Sequence, residues 1–391
     1  MPAPPSAQIT LCFSRATGIV AIASGEQYRW AQTALAGSRF QRRDNGTYTL
    51  PLDDPETART TLTGLVRSAE RHQSTVATSS RRFIGDIAGD LVAQLPGQWN
   101  ATVEVYSHPL WQEEDLVPWL WDSGELTQAA QSARVPYAAR LSDGADINLL
   151  LIERPGHDQG YVIGAFAPEG FDDNYEEPNA PRSIVVPASP GLAARAVTGR
   201  FLPAYQRALH ARRVTEFASA LCHVRAEHET WQAIRASGRF SDATPLATDG
   251  LAAASEAFQD NAWYHFRDFL THGPILLEHC RPAGTPWPED TAALERLRAA
   301  VQEGQATLEW WNGQLTGLRE TPAALPADSP TAAKRTRNER VWPAVETWLA
   351  DGEALIRQAK AAAPAPQSPA PLTPATAPAA LPPSHRATPH R

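Results

Sequence analysis

The chain has 391 residues, which suffices for two or three domains at the usual size of about 100–200 residues each. Hydrophobic residues make up 42% and charged residues 20% of the chain, so it can bury ordinary cores and is not disordered throughout. The formal net charge of −8 argues against a globally basic nucleic-acid-binding protein and leaves room only for a local basic patch.

The cysteines and the apolar segments indicate a cytoplasmic protein. The chain has three cysteines, Cys12, Cys222 and Cys280. Their odd number and wide spacing favour reduced thiols over a disulfide framework. No run of about 18 apolar residues occurs, so we expect no membrane span and no membrane partner. The first residues, MPAPPSAQITLCFSRATG, lack the basic region and solid apolar stretch of a signal peptide.

A small β-α-β-β-α unit is predicted over residues 9–78, after a loose, Pro- and Ala-rich segment at 1–8. Its predicted elements are a buried strand at 17–24, a helix at 26–36, a hairpin turn at 44–46, a strand at 47–51 and a helix at 55–72. Asp54 fits the N-cap of the last helix and Pro55 fits its first turn.

A second α/β unit is predicted over residues 79–188. It should begin with a helix at 80–95 and a strand at 101–107, followed by an acidic, Trp-rich segment at 111–133 that is helical with an interruption at Pro118. Turn residues separate the next apolar runs, which predicts an antiparallel meander over 136–141, 147–154 and 161–168, with a short strand at 183–187.

Amphipathic periodicity dominates residues 189–360 and predicts an antiparallel four-helix bundle. The predicted helices cover 189–237, then 250–272 with a break at Gly273-Pro274 and a short helical piece to about Cys280, then 290–318 with a heptad seam of coiled-coil type, and a fourth from Ser329-Pro330. Residues 361–391 contain nine prolines and no core-forming pattern, which predicts a disordered tail. The expected fold class is therefore α+β, with N-terminal α/β units containing antiparallel strands.

No motif predicts a metal site, a cofactor or a catalytic centre. Cys222, His223, His228, His279 and Cys280 lie on predicted helices, but none of their spacings is the i, i+3 or i+4 typical of metal-binding helices. The acidic loop at 172–177 lacks the spacing and glycine of an EF-hand and is interpreted as solvated. Nucleophile elbows, P-loops and dinucleotide fingerprints are absent, although scattered residues can still assemble an active site.

Arginine clusters are the remaining functional signal. In residues 37–51, GSRFQRRDNGTYTLP, three arginines and two aromatic residues lie on either side of a tight turn. This combination is suited to phosphate contact. The alternative for each cluster is a solvated charged face, which is the more common role of a charge run. If Phe40 faces the core, Arg39 and Arg43 point outward together, so the hairpin's contribution is at most electrostatic. The candidate nucleic-acid-binding residues are Arg39, Arg42, Arg43, Arg81, Arg82, Lys334, Arg335 and Arg337.

The chain contains twelve tryptophans, a high number. Trp119, Trp121, Trp310 and Trp311 include positions outside the predicted core stripes, where exposed rings would mark a partner-binding surface. The alternative is that they pack between the α/β half and the helical half.

The segments PYAARLSDGADINLLLIERPG, YVIGAFAPEGFDDNY and APRSIVVPASPG, running into FLPAYQRALHARR, resemble an uncharacterised family of actinobacterial proteins of plasmids and integrated mobile elements. The first unit, TGIVAIASG to GSRFQRRDNGTYTLP, is similar to a module at the start of some of them. The resemblance covers most of residues 17–315 and implies an accessory role in a mobile element, in DNA maintenance or transfer. It carries no activity or functional residue.

Three hypotheses follow for the function. The leading one is a non-enzymatic cytoplasmic binding or adaptor protein that contacts nucleic acid through its arginine clusters. The second is a protein-interaction scaffold that uses the bundle, exposed tryptophans and the tail. The third is an enzyme without a recognisable motif.

Overall fold

The computed structural model describes residues 6–145, 147–168, 179–240, 242–280, 287–320 and 329–362. These residues form an α+β protein with two β-sheets in the N-terminal half and long helices in the C-terminal half, which confirms the expected fold class. The predicted acidic loop at 172–177 and the predicted tail beyond residue 362 lie outside the described residues. Within the described part, no helix combines the length and the apolar character that crossing a membrane requires.

The strands are numbered along the chain and all precede the long helices. They are β1 (Gln8–Ser14), β2 (Gly18–Ser24), β3 (Gln41–Arg42), β4 (Tyr48–Leu50), β5 (Thr75–Arg82), β6 (Asn100–Val105), β7 (Leu120–Trp121), β8 (Tyr137–Ser142), β9 (Asn148–Glu153), β10 (Tyr161–Phe166) and β11 (Ile184–Val186).

The helices that precede α7 are shorter, and α7 to α10 are long. They are α1 (Tyr28–Ala36), α2 (Pro55–Arg71), α3 (Ile84–Val92), α4 (Pro109–Trp111), α5 (Glu125–Ser132), α6 (Pro190–Ala196), α7 (Leu202–Ser237), α8 (Thr248–His279), α9 (Thr291–Glu320) and α10 (Ser329–Ala361).

The first sheet has the strand order β3-β4-β2-β1-β5. β1 and β2 form an antiparallel hairpin, whereas β5 runs parallel to β1 after the chain has passed through α1 and α2. One face of this sheet packs Ile9 and Ala21 against Leu35 of α1 and Leu65 of α2. As expected, Asp54 caps α2: Glu56 N donates to Asp54 Oδ1 at 3.1 Å.

The second sheet has the order β11-β10-β9-β8-β6, with β7 paired to β10, and confirms the predicted antiparallel meander. The sequences of its central strands are continuously apolar because both faces of the sheet are buried. Leu149 and Leu151 face one core together with α3, α6 and the first sheet, while Leu150 and Ile152 face another that includes α5. The two sheets are thus layers of one N-terminal body.

The long helices α7, α8, α9 and α10 share a second core. Phe217, Leu221 and Val224 of the predicted α7 stripe are buried there, as is Trp348 of α10. The predicted break at Gly273-Pro274 is wrong, because α8 continues through Pro274 to His279. Core side chains lie on both sides of this proline, and their burial outweighs the helix cost of about 3 kcal/mol.

Three further expectations differ from the structure. The helix predicted at 80–95 begins only at Ile84, because Thr75–Arg82 forms β5 and crosses the predicted unit boundary at 78–79. The segment 111–133 is not one interrupted helix. It contains short helical turns, β7 and α5. The N-terminal segment expected to be loose already contributes Gln8 to β1.

Candidate functional site

The hairpin identified in the sequence forms the outer edge of the first sheet. Arg43 N donates to Thr47 O at 2.8 Å and Gly46 N donates to Arg43 O at 3.1 Å, so backbone hydrogen bonds close the turn. Asn45 Oδ1 accepts from the backbone N and the hydroxyl of Thr47. Gly46 has φ +81°, a conformation that favours glycine. The Asp-Asn-Gly turn therefore fixes a short, well-connected hairpin.

Both aromatic residues of the hairpin point into the protein. Phe40 and Tyr48 are buried in the core beneath α1 and α2. A buried ring cannot stack on a nucleic-acid base, because stacking requires an accessible face. The two rings instead anchor the hairpin backbone on either side of its turn.

The three hairpin arginines point outward. Arg39, Arg42 and Arg43 are all exposed, including Arg42, which strand parity alone would have placed with Phe40. Arg43 Nε donates to Thr49 Oγ1 at 2.9 Å. Within the described part of the chain, neither Arg39 nor Arg42 forms an ion pair or a side-chain hydrogen bond. The hairpin thus presents three cationic groups. The acidic residue nearest to them in the sequence is Asp44, in the turn.

Arg81 has a different environment, between the two sheets. It lies on β5, and its guanidinium donates to the backbone carbonyls of Arg154 at 3.2 Å, Gly160 at 2.9 Å and His157, all at the β9–β10 turn. Glu153 Oε2 lies 3.7 Å from Arg81 Nε, and the arginine side chain is only 12% exposed. Arg81 therefore links the sheets and retains few free donors.

Arg82 takes part in a partly exposed ion network on α3. Its Nη2 donates to Asp90 Oδ2 at 3.0 Å, and Arg15 Nη2 approaches the same carboxylate at 2.6 Å. The hydrogen bond from Arg82, with the charge of Arg15, lowers the pKa of Asp90. The charge of Arg82 is thus largely compensated within the protein.

Arg337 is buried between helices. Its guanidinium donates to Asp260 and to Asn338 Oδ1, and its central carbon lies 5.1 Å from the Trp263 ring centroid and 4.9 Å from that of Trp311. Two cation–π contacts and a carboxylate therefore enclose the charge. This environment is typical of a structural arginine.

The other two candidates on α10 are exposed. Lys334 Nζ lies 3.5 Å from Asp260 Oδ2, and Arg335 faces solvent. The eight predicted residues consequently occupy separate regions, which are the β3–β4 hairpin, the junction between β5 and its neighbours, and the start of α10. Only the three hairpin arginines are brought together as exposed groups.

A polar cleft of about 440 Å³ lies between β5 and the second sheet. The start of β8 and the β9–β10 turn form its far wall. Three larger depressions, of about 550, 530 and 470 Å³, bring together fewer titratable groups. The titratable groups that line the polar cleft are Arg81, Arg134, Tyr137, Glu153, Arg154 and His157.

Cys12, Tyr137 and Glu153 form a hydrogen-bonded chain across this sheet junction. Cys12 Sγ lies 3.6 Å from Tyr137 OH, which donates to Glu153 Oε1 at 3.0 Å. Burial raises the pKa of the Cys12 thiol, of the Tyr137 hydroxyl and of the Glu153 carboxyl. Because the thiolate is the reactive form of cysteine, the buried thiol is a poor nucleophile.

Arg134 adds a second largely buried cation at the cleft. It donates to Gln112 Oε1 at 2.6 Å, to Ser107 O at 3.0 Å and to the carbonyl of Tyr106. No carboxylate of the described residues lies within ion-pair distance of it. Neutral oxygen atoms thus accept from both terminal nitrogens without cancelling the charge, while the buried Nε has no hydrogen-bond partner among the described residues.

The cysteine and histidine residues considered as metal ligands are dispersed. Cys222 and His223 are exposed on α7, while His228 stacks on aromatic rings of α7 and α8. His279 is exposed at the end of α8, and Cys280 is buried. The part of the chain that the structure describes contains no group of three or more Cys, His, Asp or Glu side chains that could hold a metal ion.

The tryptophans considered as partner-binding residues have different environments. Trp119 is 55% exposed, whereas Trp121 is fully buried in the N-terminal core. Trp310 and Trp311 are half-buried, and arginine side chains of α10 lie over their rings. Of this set, Trp119 alone presents most of its surface to solvent.

Sequence reasoning missed the cleft residues Arg134, Tyr137 and Glu153, and the buried Cys12 that contacts Tyr137. Glu153 gave a weak signal, since it is a carboxylate at the end of the apolar run INLLLIE. Cys12 and Tyr137 are 125 residues apart and meet only because the sheets stack. No local spacing encodes that contact.

Comparison with known proteins identified no relative. No protein-family model, no curated protein and no solved structure matches the chain.

Proposed function

We propose that the chain is a non-enzymatic, cytoplasmic binding or adaptor protein that contacts nucleic acid through Arg39, Arg42 and Arg43. The observation that carries the proposal is the exposure of all three arginines on one hairpin whose flanking rings, Phe40 and Tyr48, are buried. An anchored backbone holds the arginines close together before a ligand arrives, so less conformational entropy is lost on binding.

The proposed contact is made with phosphates and not with bases. Arginine forms paired hydrogen bonds with phosphate oxygens, while the hairpin offers no accessible aromatic ring for stacking. Contacts of this kind position a protein on nucleic acid without reading its sequence. Because the chain carries a net charge of −8, we expect weak binding, with a dissociation constant of about 10⁻⁴–10⁻⁶ M.

In this proposal three of the five other basic candidates support the fold. Arg81 links the sheets, Arg82 pairs with Asp90 and Arg337 lies between tryptophans. Their donors face the protein interior or a partner carboxylate. The proposed interface is therefore the hairpin itself.

DNA is the proposed nucleic acid because of the resemblance to proteins of plasmids and integrated elements. An accessory role in DNA maintenance or transfer requires contact with DNA but no catalytic step by this chain. Burial raises the pKa of the Cys12 thiol, which argues against this residue as a nucleophile.

A second candidate function is a protein-interaction scaffold, favoured by the exposed ring of Trp119. In this role α7–α10 form the antiparallel four-helix bundle expected from the sequence, and serve as a rigid platform for a protein partner. A scaffold and a DNA contact are compatible, since Trp119 directly precedes β7 of the second sheet whereas the hairpin belongs to the first sheet.

The test is fluorescence anisotropy with labelled single- and double-stranded DNA at low salt. The R39A/R42A/R43A variant should bind at least tenfold more weakly than the unaltered chain. R59A/R67A/R71A is the matched control, because it removes the same charge from exposed positions of α2 and should bind nearly as well. Equal losses in the two variants would show a non-specific charge effect and refute the hairpin assignment.

A further inference from the structure

The outer edge of β5 has no strand partner among the described residues, because β5 ends the first sheet. The strand has eight residues, whereas the other terminal strands, β3, β6 and β11, have two, six and three. A free edge presents unpaired backbone N–H and C=O groups and can template pairing with another chain. β5 therefore offers the longest such template in the described part.

The sequence of β5 does little to block pairing. Residues 75–80 read TVATSS, without proline, lysine or any charge, and Thr78 and Ser80 are exposed. β5 pairs with β1 in a regular register from Thr75 to Thr78. The register shifts only where the β1 partners are Leu11 and Phe13. The regular stretch spans about 13 Å at the usual strand rise, enough for four residues of an added strand.

The polar cleft runs beside this edge and limits what can enter it. Ala77, Thr78 and Ser79 line one side, and the start of β8 with the β9–β10 turn lines the other. An added strand lies about 4.8 Å from its neighbour, so one extended chain fits a cleft of about 440 Å³. This far wall belongs to the second sheet.

The charge of the cleft selects an acidic occupant. Arg81, Arg134 and Arg154 line it, against the single acid Glu153. Arg154 is paired with Glu125 at 2.5 Å, but Arg81 and Arg134 donate mainly to neutral oxygens. Arg81 shares its charge with Glu153 at 3.7 Å, so Arg134, which has no carboxylate of the described residues within ion-pair distance, is the main attraction for an acidic occupant. Its charge acts over short distances at low effective dielectric.

The chain's own C-terminal segment does not suit this site. Residues 361–391 contain nine prolines, which lack the N–H donors of a paired strand, and contain no Asp or Glu. Residues 361–391 are therefore excluded as the occupant.

We propose that the free edge of β5 binds an extended acidic peptide segment of another protein by strand addition, with its carboxylates beside Arg81 and Arg134. Main-chain hydrogen bonds to β5 supply affinity, and the arginines supply the preference for acidic residues. This interaction goes beyond the proposed DNA contact and does not involve the hairpin.

The test uses the full chain and a fluorescein-labelled eight-residue peptide that alternates valine and glutamate. A peptide with lysine in place of glutamate is the charge control. Two further peptides carry N-methyl groups on one or the other set of alternate residues. We expect saturable binding of the glutamate peptide, at least tenfold tighter than the lysine peptide, and loss of binding with only one of the N-methyl patterns.

Substitutions at Thr78 separate this site from other basic surfaces. T78E should weaken binding of the glutamate peptide at least tenfold, while T78K should not, and T60E on α2 is the control for an exposed charge elsewhere. Urea unfolding confirms that each variant is folded.

Three results would overturn the proposal. They are equal binding of glutamate and lysine peptides, equal effects of the two N-methyl patterns, and no saturable binding of the glutamate peptide. Sedimentation analysis tests the competing occupant: a dimer of the chain that T78E dissociates would assign the edge to a second copy.

Discussion

Replacement of Arg337 by alanine tests whether this predicted nucleic-acid contact is a structural residue. The side chain is 6% exposed, lies between the rings of Trp263 and Trp311, and donates to Asp260 and Asn338. Two partly desolvated cation–π contacts contribute about 1 kcal/mol each, and the charged hydrogen bonds about 1.5–3 kcal/mol. Asp260 is 30% exposed and keeps Lys334, so part of this loss is recovered. We expect R337A to lower the free energy of unfolding by about 3 kcal/mol.

The assay is urea unfolding followed by tryptophan fluorescence. R335A is the matched control, because Arg335 is exposed two residues away and its loss should change stability by no more than about 0.5 kcal/mol. R337K keeps the charge but loses the planar stacking group, and an intermediate cost of about 1–2 kcal/mol is expected. A cost for R337A below about 1 kcal/mol would refute the assignment of Arg337 to the interior.

Two other substitutions test the packing and the electrostatics of the fold. Gly18 has φ +85°, and an added Cβ would lie 2.4 Å from Leu50 O. G18A should therefore lose about 2–4 kcal/mol in urea unfolding, more than G46A, which has a similar φ but no such clash. Burial, with the charges of Arg213 and Arg212, lowers the pKa of His272 to about 4. As the pH falls, His272 is protonated at a higher pH in the unfolded chain than in the folded protein. Up to about 3 kcal/mol of the stability present above pH 6.5 should therefore be lost as the pH falls to 4. H272Q should flatten that part of the stability–pH profile, and an unchanged profile would contradict the assignment.

Strong local signals explain which elements could be predicted from the sequence. The runs at β9 and β10 are continuously apolar and are bounded by turn residues, so their strands were predictable. The Asp54 cap and Pro55 marked the start of α2, and the buried stripe of α7 followed helical periodicity. In each case local propensity and tertiary burial agree.

β5 was not predictable because its stabilising partner is distant in sequence. TVATSSRR has no apolar face, and it pairs with β1 from about 67 residues earlier in the chain. The path of α8 through Pro274 is a similar case. The proline signal predicted a helix end, but the buried residues after it keep the segment helical.

The candidate sites show the same division. The hairpin, its turn and the outward Arg39 and Arg43 follow from GSRFQRRDNGTYTLP, because turn chemistry and strand alternation are local. The exposure of Arg42 does not follow from strand alternation. The polar cleft required the stacking of two sheets, which brings Arg81 of β5 to the turn after Glu153. No spacing in the sequence indicates that junction.

The most direct test of the proposed DNA contact is the dependence of log K for double-stranded DNA on log salt concentration. Three phosphate contacts predict a slope of about −2.7, and removal of Arg39, Arg42 and Arg43 should bring it close to zero. R59A/R67A/R71A should retain a slope near that of the unaltered chain. Identical slopes for the chain and the hairpin variant, or no binding at low salt, would contradict the account.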